Sequence, residues 1–426
     1  MSLPDRTSLA IVGAGPGGLT LAQYLRLTGY SQVTLIEQAD RVGGKSDSMD
    51  LGDLIAEMGT CYATGAYKDI LKWMRRQRKP FRLLRRTTVD GAGMRDYVNE
   101  APGPSLPQQV TVYLARRQSL LGRLKKNPDD PRALAEAAMP AEAWLTEQKL
   151  PKIMRMMYRA VTALGYGYLS EVSIYQAMMW VDHHAIISGA TGKLIMPSQG
   201  WSNFWEVLSE DFDVRLSHQL TRIERGPKES LLHFADGRQL SAKALACTIP
   251  VDDWARLVTD PSADEQAVAS AVTWKGYATS LIVVENWFTE EDIRSFSKAF
   301  LPGSYPGQLI SARYEGHSPD FGGHLYVTGQ IPGDYTVPEL RVFLERDLAD
   351  QGARLVNVVN VKNWRYFPHL DLKAIESGLL GRMRAMQGQN QSWYSGASFS
   401  HESVANITRF NKALTPGLLS SLKRGG

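Results

Sequence analysis

Three things are scarce in this sequence: cysteine, long apolar runs and an excess of charge of one sign. Cys61 and Cys247 are the two cysteines among 426 residues, too few for a disulfide scaffold or a multi-cysteine metal site. No stretch approaches about eighteen uncharged apolar residues, which excludes a membrane-spanning helix. A formal net charge of +4 is small for this length and gives no case for nucleic-acid binding. With no room for a signal peptide before the first apolar run, we expect a cytoplasmic protein.

The rest of the composition is that of a soluble globular protein. Hydrophobic residues make up 43% and charged residues 22%, which excludes a fibrous, collagen-like or largely disordered chain. The length allows two or three domains with cores of ordinary size. Neither a G-x-S-x-G nor an H-E-x-x-H motif occurs, so a hydrolase is disfavoured. No metal-ligand spacing is present, and we expect no metal site.

The opening segment is the most informative part of the chain. Residues 9–12 form a short apolar run that predicts a buried strand, and residues 13–18 read Gly-Ala-Gly-Pro-Gly-Gly. A helical pattern follows, then a second apolar run at residues 33–36 that ends at Glu37. A strand, a G-x-G-x-x-G turn, a helix and a second strand with a terminal acid form the pattern of a dinucleotide-binding βαβ unit.

Each residue of this pattern has a physical role. Gly13 permits the tight turn, Gly15 lets a pyrophosphate approach the backbone, and Gly18 lets the helix pack closely on the strand. The helix N-terminus offers free N–H groups and the positive end of the helix dipole to the phosphates. Glu37 can accept hydrogen bonds from ribose hydroxyls. The segment therefore predicts dinucleotide binding.

A second motif indicates which dinucleotide is bound. Residues 41–46 read Arg-Val-Gly-Gly-Lys-Ser, which resembles the R-x-G-G-[RK] run of the amine-oxidase-like flavoproteins. That resemblance implies that Gly43 and Gly44 pass under the cofactor and that Lys45 supports its phosphates. The following residues 57–60 resemble the E-x-G segment of the same superfamily. The cofactor that this resemblance implies is FAD rather than NAD.

The resemblance assigns further cofactor contacts along the chain. The backbone at Leu220 is placed near the adenine, and a glycine turn at Gly396 followed by a helix near Ser403 faces the pyrimidine edge of the flavin. The remaining contacts implied in the same way are Gln38, Gly59, Thr60 and Val404. No motif beside Cys61 indicates a covalent flavin link, so we expect non-covalent FAD.

These pieces predict an α/β fold with a discontinuous Rossmann-like FAD-binding domain. Residues 1–95, 192–260 and 370–426 are assigned to that domain. The segment 96–191 is rich in helical patterns, with helices predicted over 113–126, 130–146 and 152–164, and is expected to form a cap. The segment 261–369 has strand-like runs, the best at 279–284 and 324–328, and is expected to form an antiparallel substrate domain over the flavin.

Four further segments resemble one small flavoprotein group. Residues 164–168, 364–369, 386–388 and 394–397 occur in the order seen in FAD-dependent polyunsaturated fatty-acid double-bond isomerases and in fungal oxidocyclases of the β-cyclopiazonate dehydrogenase kind. The stretch 395–403 looks closer to the oxidocyclases, since a typical isomerase has an acid where this chain has Ala397.

The group implies a flavin-dependent oxidoreductase that abstracts a hydride from a small, largely apolar substrate, by oxidation or oxidative cyclisation. Isomerisation of a polyunsaturated fatty acid is the alternative within the group, and a non-catalytic flavin-stabilised binding protein is the alternative of another class. The oligomeric state and the catalytic residues are left open.

A basic segment, residues 72–86, has two interpretations. In the first, it is a basic helix face exposed to solvent. In the second, it binds an anionic membrane surface or an acidic substrate. Within it, Leu84-Arg85-Arg86 resembles the L-R-R of the fatty-acid isomerases, which implies that Arg86 clamps a substrate carboxylate. The pair His183–His184 and His369 are candidate proton shuttles.

Overall fold

The computed structural model describes residues 5–78, 80–191 and 193–424. Lys79 of the basic segment lies outside the described residues. The strands are β1 Asp5–Val12, β2 Val33–Ile36, β3 Ser48–Asp50, β4 Ile55–Glu57, β5 Phe81–Leu84, β6 Thr87–Val89, β7 Ala92–Gly93, β8 Leu194–Pro197, β9 Asp213–Arg215, β10 Leu220–Arg225, β11 Ser230–Phe234, β12 Gln239–Cys247, β13 Val272–Trp274, β14 Tyr277–Glu285, β15 Ile293–Ser295, β16 Leu309–Ser318, β17 Gly323–Gln330, β18 Arg354–Trp364, β19 Pro368–Leu370 and β20 Ser392–Tyr394.

The helices alternate with these strands at both ends of the chain and follow one another in its middle. They are α1 Pro16–Leu27, α2 Lys68–Arg76, α3 Met94–Asn99, α4 Leu106–Lys126, α5 Pro131–Ala138, α6 Ala141–Glu147, α7 Pro151–Ala160, α8 Ile174–Trp180, α9 His183–Thr191, α10 Gly200–Ser209, α11 Val251–Leu257, α12 Ala263–Ala271, α13 Val337–Ala349, α14 Leu372–Glu376, α15 Leu379–Ala385, α16 Ala397–Ser400 and α17 Val404–Arg424.

The first of two seven-stranded sheets carries the opening motif. Its order is β10-β11-β12-β1-β2-β9, with β20 also pairing with β12. Strands β1, β2, β9, β12 and β20 run parallel, whereas β10, β11 and β12 pair in antiparallel fashion. Residues 9–12 are buried on both faces, which explains why they read as a continuous apolar run. The predicted strand, helix and second strand are confirmed as β1, α1 and β2.

The second sheet has the order β18-β14-β17-β16-β15-β6-β7 and is antiparallel except where β15 meets β6. The strand-like runs predicted at 279–284 and 324–328 lie in β14 and β17. Strands β6 and β7 come from the first of the three segments assigned to the FAD-binding domain. The division of the chain into domains stays a prediction, since a sheet shared in this way does not mark a boundary.

A group of helices from α3 to α9 occupies the middle of the chain. The continuous helix expected over 130–146 is two helices, α5 and α6, which are separated at Met139 and Pro140. Pro140 has no backbone N–H and favours an extended residue before it, which ends α5. The long C-terminal helix α17 packs on α1, where Asn411 Nδ2 donates to Gly17 O and Thr20 Oγ1, both at 2.7 Å. These contacts fix the helix that follows the glycine turn.

Candidate functional site

A cavity of about 460 Å³ lies where the two sheets and the helical segment meet. One part of it, which we call the glycine end, is lined by Gly13, Gly15, Glu37 and Gly44. The other part, the aromatic end, is lined by Tyr62, Tyr166, Tyr277, Arg313 and Phe367. The two ends are built by different means, backbone at one and side chains at the other.

The backbone at the glycine end leaves little room for a side chain at Gly13 or Gly44. Gly13 has φ +103°, and a Cβ there would lie 2.8 Å from Thr248 Oγ1. Gly15 and Gly44 approach each other so closely that a Cβ on Gly44 would lie 3.1 Å from Gly15 Cα. Gly15 is also the N-cap of α1 and has no side chain to cap it. The first N–H groups of α1 are therefore available to an anionic ligand.

Glu37 borders the glycine end from the end of β2. Its Oε2 accepts a hydrogen bond from the Ala14 N–H at 2.9 Å, and its Oε1 accepts one from the Ala39 N–H at 3.0 Å. These bonds hold the carboxylate against the turn, with Gln38 beside it in the cavity lining. A carboxylate has about four acceptor positions, so both oxygens can still accept hydrogen bonds from a ligand's hydroxyls.

Lys45 lines the cavity, but its ammonium group already has protein partners. Lys45 Nζ lies 2.6 Å from Glu402 Oε1 and donates to Arg365 O. It also lies 4.7 Å from the centroids of the Trp274 and Tyr366 rings. Burial lowers its pKa and the Glu402 carboxylate opposes that shift. The positive charge of Lys45 is thus balanced inside the protein.

The other residues predicted to hold the cofactor divide into two sets. Gly59, Thr60, Gly396, Ser403 and Val404 line the cavity. Gly18, Gly43 and Leu220, all in the described part of the chain, lie outside the lining, and so does Arg86, which was predicted to bind substrate rather than cofactor.

Those four residues have identifiable surroundings. A Cβ on Gly18 would lie 2.0 Å from Gly13 O and 3.2 Å from Ile11 Cγ2 of β1, so α1 approaches the turn and the strand closely at this position. A Cβ on Gly43 would lie 3.3 Å from the Trp205 side chain, and Leu220 begins β10, opposite Phe234. Arg86 is exposed, and its backbone N–H donates to Asp292 Oδ2.

The aromatic end contains a continuous stack of rings. Tyr166 and Phe367 have centroids 3.9 Å apart, and Phe367 and Tyr366 have centroids 4.4 Å apart. Trp180 stacks on Tyr166 at 5.3 Å. The Tyr166 hydroxyl donates to Glu402 O and the Tyr366 hydroxyl donates to Lys45 O. Because these hydroxyls are held, the rings form a fixed apolar wall.

Two charged groups at the aromatic end are fully engaged with the protein. Arg313 forms an ion pair with Glu315 and donates from Nη2 to Glu57 O at 2.7 Å. Glu57 accepts hydrogen bonds from the Trp201 N–H at 2.7 Å and from Ser48 Oγ at 2.8 Å. Burial raises the pKa of Glu57 to about 7, although these bonds and Arg313 oppose the shift. Glu57 therefore organises the turn that leads to Gly59.

The histidines predicted as proton shuttles lie outside the cavity lining, whereas Cys61 lies within it. His369 is buried, with Nε2 2.6 Å from Tyr166 O, and burial lowers its pKa to about 4. His369, His183 and His184, although within the described chain, are not among the cavity-lining residues. Cys61 lines the cavity, and burial raises the pKa of its thiol. Among the described residues, no cluster of His, Cys, Asp and Glu could hold a metal.

Sequence reasoning assigned no role to several residues of the aromatic end. Tyr166 and Phe367 lay in segments quoted only for their resemblance, and Arg313 was not singled out. Their shared feature is burial beside the cavity, which depends on packing between distant segments. The aromatic content of residues 164–168 and 364–369 was the available signal.

Comparisons with known proteins agree with this architecture. The sequence model of a family described as flavin containing amine oxidoreductase matches residues 16–356. Polyamine oxidase 5 of Oryza sativa subsp. japonica is 22% identical over 258 residues, 57% of this chain and 51% of that protein. Polyamine oxidase 2 of Arabidopsis thaliana is 21% identical over 257 residues, with the same two shares. The chain spans about half the length of the curated relatives it matches.

Solved structures share the fold over nearly the whole chain. A CLA-producing fatty acid isomerase from P. acnes has a TM-score of 0.80 at 21% identity, covering 98% of this chain and 99% of that one. Wild-type putrescine oxidase bound to putrescine has a TM-score of 0.72 at 14% identity, covering 98% and 100%. Cyclohexylamine oxidase from Brevibacterium oxydans has a TM-score of 0.69 at 14% identity, covering 99% and 100%.

In residues 5–78, 80–191 and 193–424, no helix is both long enough and apolar enough to cross a bilayer.

Proposed function

The chain belongs to the flavin containing amine oxidoreductase family, and from that premise we propose that it uses FAD to abstract a hydride from a small, largely apolar organic substrate. The net reaction is oxidation or oxidative cyclisation. The observation that carries this proposal is the single cavity that joins a backbone cradle at the glycine end to a buried ring stack at the aromatic end.

The residues of the glycine end fit FAD. Gly13, Gly15 and Gly44 leave a space that Cβ atoms would fill, and the start of α1 offers free N–H groups to a pyrophosphate. Glu37 is held beside the turn with acceptor capacity for ribose hydroxyls. When bound, FAD supplies a hydride acceptor for a carbon whose cation is stabilised. We propose that the cofactor is bound non-covalently.

The residues of the aromatic end bind and orient the substrate. The stacked rings of Tyr166, Phe367 and Tyr366 exclude water and present an apolar surface. Arg313 donates to the Glu57 carbonyl and the Glu57 carboxylate accepts from the Trp201 N–H, and these hydrogen bonds hold the turn before Gly59 in place. The chain's own contribution to the chemistry is thus position and exclusion of water, while the cofactor supplies the reactivity.

The test is anaerobic mixing of the purified yellow protein with candidate substrates in a stopped-flow spectrophotometer. A screen of long-chain acids, amines and neutral apolar compounds supplies the candidates. We expect one of them to bleach the visible flavin absorption, which returns when an electron acceptor is added. A protein that is colourless and takes up no added FAD contradicts the proposal.

Double-bond isomerisation of a polyunsaturated fatty acid is the second candidate function. It is supported by the fold that this chain shares with the solved fatty acid isomerase over nearly its whole length. An isomerase gives a product of unchanged mass, and its flavin returns to the oxidised state without an acceptor. Mass spectrometry of the anaerobic reaction therefore separates isomerisation from net oxidation.

A further inference from the structure

The basic segment, residues 72–86, is a feature of the surface that the proposed function does not use. In its described part, the exposed cationic residues are Lys72, Arg75, Arg76, Arg78, Arg85 and Arg86. None of these described residues lines the cavity. Arg82 differs from them, since it is partly buried and its Nη2 lies 2.8 Å from Glu315 Oε2. The exposed charges of the segment therefore face solvent rather than the cavity.

The exposed arginines of the segment have no ion-pair partners. Arg155 of α7 shows the alternative, since it pairs with Glu100. Among the residues that the structure describes, no carboxylate pairs with an exposed arginine of the segment. The carboxylate of Asp292 lies nearby and accepts the backbone N–H groups of Arg85 and Arg86 at 2.8 and 3.0 Å. The segment keeps an excess of positive charge that is available to an anionic partner.

Strand β5 presents two large apolar side chains in the middle of this basic segment. Phe81 and Leu83 are 38% and 42% exposed, whereas Leu84 is buried and Arg82 is partly buried. Since successive strand residues point to opposite faces of a sheet, Phe81 and Leu83 share the outer face. Arg85 follows in the same alternation and is exposed as well. Isolated exposed apolar residues are ordinary, but two on one face between arginines form an amphipathic surface.

The free edge of β5 has features that disfavour pairing with another strand. Its other edge pairs with β8 in a two-stranded sheet. The strand spans Phe81–Leu84, Pro80 precedes it, and Arg85 and Arg86 follow it. Short length, proline and charge are the means by which sheet edges avoid association, and two copies of this positive surface would repel each other. The surface therefore fits an anionic partner rather than a second copy of the chain.

The inner face of the same small sheet adjoins the cavity. Leu84 of β5 pairs with Leu194 of β8, and both pack in one apolar cluster with Met196 and Tyr62. Leu194 and Tyr62 also line the cavity. The strand thus has the cavity wall on one side and its apolar outer face on the other.

The combination of charge and apolar groups selects the class of anionic partner. Nucleic acids and anionic lipids both present phosphate groups to arginine. A bilayer also has an apolar layer directly below its headgroups, in which exposed aromatic and aliphatic side chains are buried. An aliphatic side chain such as that of Leu83 has no ring to stack on a base, the contact that binds single strands. The surface therefore fits an anionic bilayer better than a nucleic acid.

We propose that this surface, which we call the docking face, binds a membrane that contains anionic lipids. The docking face consists of Phe81, Leu83 and the exposed cations of residues 72–86. Phe81 and Leu83 enter the boundary between headgroups and acyl chains, and the cations lie at the lipid phosphates. The proposal goes beyond the proposed function, because it holds whatever reaction the cavity catalyses.

Cosedimentation with lipid vesicles tests the docking face. The FAD-loaded full chain is mixed with vesicles of phosphatidylcholine alone, or of equal parts phosphatidylcholine and phosphatidylglycerol, and the partition coefficient is measured. We expect binding to the vesicles with phosphatidylglycerol, and binding weaker by roughly tenfold or more to those without it. Added salt should weaken the binding, because it screens exposed charges.

Two double variants separate the contributions of charge and apolar contact. With Arg85→Gln and Arg86→Gln combined, the partition coefficient should fall roughly 10- to 30-fold, since each cation near an anionic membrane contributes about fivefold. With Phe81→Ser and Leu83→Ser combined, it should fall roughly tenfold or more, because the apolar area no longer enters the membrane.

The matched control combines Val337→Ser with Val356→Ser, in α13 and β18. These side chains are 38% and 42% exposed, as Phe81 and Leu83 are. The control should bind vesicles as the wild type does. Because every substituted side chain is exposed, each variant should keep the flavin content and the Tm of the wild type, which shows that it is folded.

A titration with dodecanoate separates a membrane from the other ligand considered for the basic segment, an acidic substrate. This single-chain acid is titrated as a monomer into the wild type and the Arg85→Gln, Arg86→Gln variant by isothermal calorimetry. A docking face predicts the same Kd for dodecanoate in both proteins. A Kd that rises in the variant, with vesicle binding unchanged, assigns the segment to a substrate and overturns the proposal.

Other results would also overturn the proposal. They are equal binding to both kinds of vesicle, vesicle binding that neither double variant weakens, and tighter binding of a single-stranded oligonucleotide than of the anionic vesicles. A dimer that dissociates when Phe81→Ser and Leu83→Ser are combined, seen by analytical ultracentrifugation, would assign the face to a second copy. A colourless protein removes the proposed function alone, because sedimentation with vesicles needs neither flavin nor activity.

Discussion

Buried charged groups near the two ends of the cavity differ in whether the protein supplies their partners. Beside the glycine end, the ammonium of Lys45 is paired with Glu402, and the carboxylate of Glu37 accepts two backbone N–H groups. At the aromatic end, Arg313 is paired with Glu315, whereas Arg159 in α7, outside the cavity lining, has two buried guanidinium nitrogens without a hydrogen-bond partner in the described chain. Charges balanced within the protein can build a site, whereas an unbalanced buried charge costs the folded protein free energy. The following substitutions test that difference.

The largest effect is expected at the glycine end. Gly15→Val should abolish FAD binding, because the side chain would occupy the pyrophosphate position. The fold should survive, since a Cβ on Gly15 comes no closer than 3.5 Å to a neighbour, Gly44 Cα. The ratio of flavin to protein absorbance measures the loss, and far-ultraviolet circular dichroism checks the fold.

The control for this substitution is Gly122→Ala in α4, where a Cβ meets nothing within 4 Å. It should retain the wild-type flavin content. Retention of FAD by Gly15→Val would mean that the turn does not face the pyrophosphate.

The next largest effect is a loss of stability that is expected in Arg313→Met but not in Arg159→Met. Arg313→Met leaves the fully buried Glu315 carboxylate without its closest partner, and the free energy of unfolding should fall by about 3–5 kcal/mol. Arg159→Met should show no such loss. Urea denaturation of both variants and of the wild-type protein, each loaded with FAD, measures the difference. Similar losses in the two variants would show that Arg159 is also satisfied within the protein.

A smaller effect concerns the pH dependence of stability. The pKa of Glu57 is raised from 4.5 to about 7 in the folded protein, chiefly by burial, so the folded state binds a proton more tightly than the unfolded state does. This carboxyl therefore contributes stability that is present below about pH 4.5 and is lost as the pH rises through about 7. The loss amounts to about 3 kcal/mol.

Glu57→Gln should remove that part of the pH dependence, because an amide does not titrate. Free energies of unfolding measured across this pH range for both proteins give the comparison. A slope that is the same in the variant and the wild type would mean that Glu57 is ionised throughout in the folded protein.

The smallest effect is expected on the surface. Arg86→Ala should change stability by less than about 0.5 kcal/mol, because the residue is exposed. It should also leave the Kd for dodecanoate within about twofold, as Arg85→Ala should. A selective loss of dodecanoate binding in Arg86→Ala would support the prediction, implied by the resemblance, that Arg86 clamps a substrate carboxylate.

Much of the fold was predictable because its signals are local. The strand, turn, helix and strand around Gly13 and Glu37 appear as predicted, as do the strand-like runs of β14 and β17. The prediction of one continuous helix over 130–146 was wrong. The alanine-rich pattern on both sides of Pro140 favoured a single helix, but the structure has two helices separated at Pro140. The domain boundaries and the roles of the individual cofactor residues stay predictions.

By itself, the sequence determined the cradle at the glycine end. A positive φ at Gly13 and an acid at the end of β2 are properties of short segments, and each restricts the residue type at its own position. The tertiary structure alone decided which arginine is buried without a partner. Tyr62, Arg159 and Tyr277 come from distant parts of the chain, and Arg155 and Arg159 look alike in sequence. Their difference arises from what packs around each guanidinium, since burial and ion pairing depend on long-range contacts that no local pattern records.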